Sequence, residues 1–163
     1  MTSSYISPDL LNEVVSRMKY ENGLAVRVCF ATGLRLSDVL AIKYGQISAS
    51  NRISVRETKT GKARRVYIPV GLQREMTGNA KHWWAFPHRT KTDRPRTRQA
   101  VYMDFKQACV RSGVDPKGLS PHSVRKAWAV RKRVAGLSIP QIQKLMNHSK
   151  ASVTALYALS DRL

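Results

Sequence analysis

Near the start of the chain, Leu10, Leu11, Val14, Val15 and Met18 recur at helical spacing and form one apolar stripe. Ser7-Pro8-Asp9, just before it, supplies a cap, a proline at the first helical position and an acid in the first turn, so a helix is predicted to begin there. From Gly23 to Thr32 the chain is mostly apolar, which predicts a helix central to the core, ended by Gly33 in a left-handed C-cap. After Leu34-Arg35-Leu36, Ser37 is expected to cap a short helix holding Asp38, Val39, Leu40 and Ile42. Between Asn51 and Val70 the period changes to two. Ile53 and Val55, then Val66 and Ile68, alternate with polar neighbours around Lys59-Thr60-Gly61-Lys62, the pattern of a β-hairpin with a glycine-containing turn.

The aromatic run His82 to Pro87 predicts a short strand or buried turn, its tryptophans packing in preference to stacking on bases. His88 to Arg98 has no apolar period and reads as a loop, with Thr97 capping a helix over Arg98 to Ser112 that buries Val101, Phe105, Ala108 and Cys109 and ends at Gly113. Ser120-Pro121 opens a further helix closed by Gly136. Ser138 and Pro140 start the next, with Ile139, Ile142, Leu145 and Met146 inward, and Ser152 to Leu159 is the last. Nothing repeats and no low-complexity linker intervenes, so residues 1–163 read as one domain, mainly α with a small antiparallel β-sheet, of the α+β class.

Charge changes the picture. Lys and Arg number 29 against 10 acids, a formal net charge of +19, which points to polyanion partners and to nucleic acid first. The segments 52–65, 81–98 and 122–133 hold 17 of the 29 cations with only Glu57 and Asp93 among them, so the charge is gathered into surfaces suited to tracking phosphates. Lys62, Arg64, Arg65, Arg89, Lys91, Arg94, Arg96, Arg98 and Lys126 are the candidate DNA contacts. Cys29 and Cys109 sit in apolar helical patterns, and no CxxC or paired-His spacing suggests a metal site or a disulfide framework. There is no signal peptide and no apolar run long enough to span a bilayer, so a cytoplasmic setting in a bacterial host is expected.

Candidate chemistry gathers between Ser120 and Tyr157. His122 and Arg125, three apart on a helix, share a face and can hold one small anion. Asn147-His148 follows, then Tyr157 nine residues beyond the histidine. Singly, each has an ordinary explanation: a solvated basic face, a helix cap, a packed tyrosine. Their joint spacing is what suggests phosphoryl transfer to a phenol.

PHSVRKAWA, residues 121–129, resembles the H-x-x-R box of the tyrosine recombinases, the phage integrase family. LMNHSKASVTALY resembles that family's L-x-x-H-x(8)-Y segment, and ATGLRLSDVLAIK, Ala31 to Lys43, its first arginine box. ETKTGKARRVYIPV, Glu57 to Val70, is similar to the hairpin that carries the family's catalytic lysine. Four boxes in the right order cover about residues 5 to 160. The resemblance implies a catalytic domain of that fold and a DNA strand transferase that needs neither metal nor other cofactor. It implies Tyr157 as nucleophile, leaving a 3′-phosphotyrosyl link and a free 5′-hydroxyl; Arg35 and Arg125 as the phosphate clamp; and Lys59 as donor of a proton to the leaving oxygen, with Lys62 as competitor. His122 would be general base and His148 a hydrogen-bonding partner of the phosphate or Tyr157. Asp38 replaces the frequent glutamate and would orient basic side chains, unless it is an ordinary first-turn acid favoured by the helix dipole. Lys126 and Ala127 stand where the family often has His and Thr. Phage or mobile-element integration and recombination at a specific duplex site is the leading expectation, with a tetramer on DNA in the full-length protein and a monomer for this chain alone. The usual N-terminal core-binding domain is expected to be absent from this sequence. A type IB topoisomerase-like enzyme, a plasmid-dimer resolvase and a non-cleaving DNA-binding regulator are the alternatives.

Overall fold

A computed structural model describes residues 4–147. His148, Tyr157 and the expected last helix, 152–159, lie outside the described residues. Among the described residues, eight helices and two strands follow in the order α1 (Pro8–Ser16), α2 (Tyr20–Thr32), α3 (Leu36–Leu40), α4 (Tyr44–Ala49), β1 (Arg52–Arg56), β2 (Ala63–Tyr67), α5 (Val70–Asn79), α6 (Arg98–Arg111), α7 (Pro121–Val134) and α8 (Ile139–Met146). The expected class, mainly helical with one small antiparallel sheet, is what the chain adopts.

The capping chemistry works where the sequence placed it. Ser7, Thr97, Ser120 and Ser138 each accept a backbone N–H of the first turn of α1, α6, α7 and α8, satisfying donors that a helix start leaves without partners. Gly33 ends α2 at φ 68°, its N–H returning to the Cys29 carbonyl. One cap differs. The residue before α3 is Arg35, in extended backbone, and Ser37 lies inside the helix. Helices α4 and α5 carry too little apolar period to be read from sequence; α4 is tied down by Gln46, which accepts the Lys43 N–H and donates to the Ser54 carbonyl of β1.

Helix α2 is the hub. Leu24, Ala25, Val26, Val28 and Cys29 are all buried, and α1, α3, α5, α6 and α7 pack around it. The hairpin pairs Ile53 with Val66 and Val55 with Arg64 on its inward face. On α7 the side chains of Val124, Ala127, Trp128 and Val130 face the core, and Arg125 is buried among them. On α8, Ile142 and Met146 point inward as expected, whereas Leu145 is exposed. Trp84 is half-buried with its indole N–H on the Asp93 carbonyl, but Trp83 beside it is largely exposed, so packing accounts for only one of the pair.

Candidate active site and nucleic-acid interface

The end of α2, the turn after β1 and the starts of α6 and α7 meet around a cleft of about 890 Å³ lined by Arg35, Lys59, Arg98, Tyr102, His122 and Arg125 among others. Residues from four separate sequence segments thus line it, and both proposed clamp arginines share one concavity. Two helix N-termini, those of α6 and α7, open on it through Arg98 and Ser120-Pro121, adding backbone partial positive charge to the cations.

Arg125 is 1% exposed and held by two backbone carbonyls, with Nη1 donating to Gly33 O at 2.6 Å and Nη2 to Met146 O at 2.7 Å. These bonds fix the plane of the guanidinium at the cleft wall and join α7 to the ends of α2 and α8. Arg35 is mostly covered, and its Nη1 donates to Glu57 Oε2 at 2.7 Å. Asp38 is fully buried. Its Oδ1 accepts the backbone N–H of Thr58 at 2.9 Å, so it orients the lysine turn through the main chain and no described basic side chain. Lys59 follows directly, exposed at the cleft edge. The backbone is held on both sides of Lys59, by the Thr58 N–H on Asp38 and the Gly61 N–H on the Glu57 carbonyl. Lys62 is exposed and does not line the cleft, which favours Lys59 over its competitor.

His122 reaches the surface at the mouth of the cleft, yet its pKa falls from 6.5 to about 4. Desolvation by the surrounding walls is the largest cause, followed by the fields of Arg125, Lys126, Arg35 and Lys59, all of which oppose a fifth positive charge. The imidazole is therefore neutral at physiological pH, as a proton acceptor must be. Above pH 6.5 His122 is neutral in both folded and unfolded chains. Between 6.5 and about 4 the unfolded chain binds a proton that the folded chain refuses, so stability declines as pH falls through that window. An NMR titration of the His122 ring, assigned with His122→Gln, should show a midpoint near 4 in the free protein and an upward move when phosphate enters the cleft. A midpoint at or above 6.5 would contradict this electrostatic picture.

The proposed DNA contacts divide. Arg98 lines the cleft; Lys62, Arg65, Lys91 and Arg94 are exposed outside it; Lys126 is half-buried beside His122. Arg89 and Arg96 border a separate cavity of about 300 Å³, where Arg96 donates to Asn22 Oδ1 at 3.0 Å. Arg64 is not available to DNA. It is 8% exposed, with Nη2 on Thr32 O at 2.6 Å and Nη1 on Gly33 O at 3.3 Å, and burial pushes its pKa down to about 10. Glu57 completes the cluster. Burial alone would raise its carboxyl, but hydrogen bonds from Arg35 and Thr60 and the fields of Arg35 and Arg125 prevail and hold it below the usual range. Glu57 was not among the residues expected at the site, and Arg64 was expected on the DNA-facing surface.

Among the described residues no group of His, Cys, Asp and Glu is placed to hold a metal ion, and no helix is long and apolar enough to cross a membrane. The sequence profile of the Phage integrase family matches residues 6–162. Tyrosine recombinase XerD of Rhizobium meliloti (strain 1021) is 27% identical over 148 residues, covering 85% of this chain and 47% of that protein. The integrase of Escherichia phage P2 is 24% identical over 156 residues, covering 96% and 43%. Among solved structures, a lambda integrase(75-356) dimer bound to a COC' core site superposes with a TM-score of 0.79 at 18% identity, over 97% of this chain and 60% of that one. The catalytic domain of bacteriophage HP1 integrase superposes with a TM-score of 0.70 at 22% identity, over 97% and 88%. The chain thus spans about half the length of the curated relatives it matches.

Proposed function

The chain belongs to the phage integrase family, and from that membership we propose that it is the catalytic domain of a tyrosine-type, site-specific DNA recombinase. The observation that supports this most is the meeting of Arg35 and Arg125 with His122 and Lys59 in one cleft, in a chain whose family match continues through Tyr157. A phosphodiester seated there faces two guanidinium groups that offset the charge growing on its non-bridging oxygens. The Tyr157 oxygen attacks phosphorus and the P–O5′ bond breaks. The phenolic proton passes to neutral His122, and Lys59 gives a proton to the departing 5′-oxygen. His148 hydrogen-bonds the phosphate or Tyr157. The 3′-phosphotyrosyl ester keeps the phosphoryl bond available, so a 5′-hydroxyl from another strand reverses the step and joins the ends. The partner is duplex DNA bearing a specific site. Assembly of the full-length protein into a tetramer and action in the bacterial cytoplasm, on behalf of a phage or mobile element, complete the reading.

A nicked duplex that loses a short fragment after cleavage traps the covalent product. The chain should yield an adduct that protease removes; no adduct on any duplex carrying its site would overturn the reading. Affinity for duplex DNA should fall by roughly 1000-fold between 50 and 200 mM salt, as counterions return to the phosphates. A flat dependence would mean that the clustered cations serve another purpose.

A further inference from the structure

Glu57 has a fully buried side chain at the end of β1, outside the cleft lining, yet two groups of the proposed chemistry depend on it. Oε2 accepts from Arg35 Nη1 at 2.7 Å and from Thr60 Oγ1 at 2.9 Å. Its backbone N–H donates to Lys62 O at 3.0 Å, and its carbonyl accepts the Gly61 N–H at 2.8 Å. Asp38 holds the Thr58 N–H at 2.9 Å from the other side. The residues flanking Lys59 are thus anchored to two buried carboxylates, and Lys59 lines the cleft beside Thr58.

We propose that Glu57 is the positioning residue of this site: it locks Arg35 and the Lys59 turn into one unit, so that clamp and proton donor address the same phosphate. This rests on the strand-transfer reading above. A simpler role, as counter-charge for buried Arg64, fits the distances less well. Arg64 Nη1 stands 3.9 Å from Oε1, whereas Arg35 and Thr60 make hydrogen bonds. An ionised carboxylate suits the position because it only accepts; an amide would turn an N–H toward the surrounding donors. Immobilising the turn removes conformational freedom that Lys59 would otherwise lose at the moment of proton transfer.

The test is single-turnover cleavage of the nicked duplex with either oxygen or sulfur at the scissile 5′ position. A thiolate departs without a proton, so defects that act through Lys59 vanish on the sulfur substrate, and Lys59→Ala gives the size of a full rescue. Thr60→Val, at an exposed position that leaves the core intact, should slow the oxygen substrate about 10-fold and return to within about 2-fold of wild type on sulfur. Glu57→Gln should slow the oxygen substrate about 100-fold and recover only partly on sulfur, since Arg35 is released as well. Neither change should weaken duplex binding, because neither side chain touches phosphate and the second removes a negative charge. Cleavage of oxygen DNA within about 3-fold of wild type by both variants, or equal slowing on both substrates, would overturn the proposal. Absence of a wild-type adduct would count against the strand-transfer reading instead. In that event trypsin cleavage after Lys59 reads the turn directly. It should quicken in both variants, and unchanged cleavage would overturn the role of Glu57.

Discussion

Tyr157→Phe should abolish the covalent adduct entirely while leaving duplex affinity within about 2-fold, since a phenol without its oxygen cannot form the ester but binds no phosphate charge. The structure gives this experiment a necessary control. Tyr102 lines the same cleft, on the α6 face next to Arg98, so a second phenol stands near where the phosphate would sit. Tyr67 is also exposed, on β2, but does not line the cleft. Tyr102→Phe should retain the adduct. A phenol has a pKa near 10, so a nucleophile needs a base close by and the phosphorus in line. In the proposed mechanism His122 is that base, and the family match runs through Tyr157, whereas Tyr102 matches none of the family boxes. Persistence of the adduct in Tyr157→Phe with its loss in Tyr102→Phe would reassign the nucleophile and leave the rest of the cleft chemistry standing.

The largest effect on folding should come from Gly33→Ala. Gly33 holds φ at 68°, and a β-carbon there would approach the Trp128 ring to 2.6 Å, so even the smallest side chain is excluded twice over. The left-handed backbone costs about 1 kcal/mol for alanine. Forcing apart a packed indole costs about 1–3 kcal/mol more. Together these predict a loss of about 3 kcal/mol and a Tm lower by about 10 °C for a chain of this size, measurable by thermal unfolding. Activity should fall further than stability explains. The Gly33 carbonyl accepts both Arg125 and Arg64, so a shift of the backbone moves the guanidinium proposed to clamp the phosphate, and an error of about 1 Å in such a group costs about 100-fold in rate. A variant that melts normally and cleaves normally would show that the turn tolerates what these distances forbid.

Most of the helical frame was legible because its signals are local: Ser7-Pro8, Thr97, Ser120-Pro121 and Ser138 cap where they stand, and Gly33 turns left-handed as read. Helices α4 and α5 were not, since their residues are held by tertiary bonds such as Gln46 to Ser54 and carry only short apolar pattern. The spacing of His122 and Arg125 put those two on one face, and only the family resemblance joined Arg35 and Lys59 to them; nothing local in the sequence shows that Arg125 hangs on two carbonyls. Arg64 and Glu57 are the instructive misses. Arg64 has the parity of Val66 and Ile68, and Glu57 that of Ile53 and Val55, so the alternation already placed both inside. Net charge pulled Arg64 to the surface in the reading because buried ions are rare. The alternation was the stronger signal, as the two opposite charges keep each other company in the interior.

That pairing has a consequence for how this domain can be rebuilt. Strands 52–56 and 63–67 look like a detachable module, joined to the helices by short connections. A replacement hairpin with a neutral side chain at position 57 would leave Arg35 and Arg64 without the carboxylate that both face, and one with a neutral residue at 64 would leave the Thr32 carbonyl without its Arg64 donor. Chimeras built at this seam should succeed only when positions 57 and 64 are transplanted as a matched set.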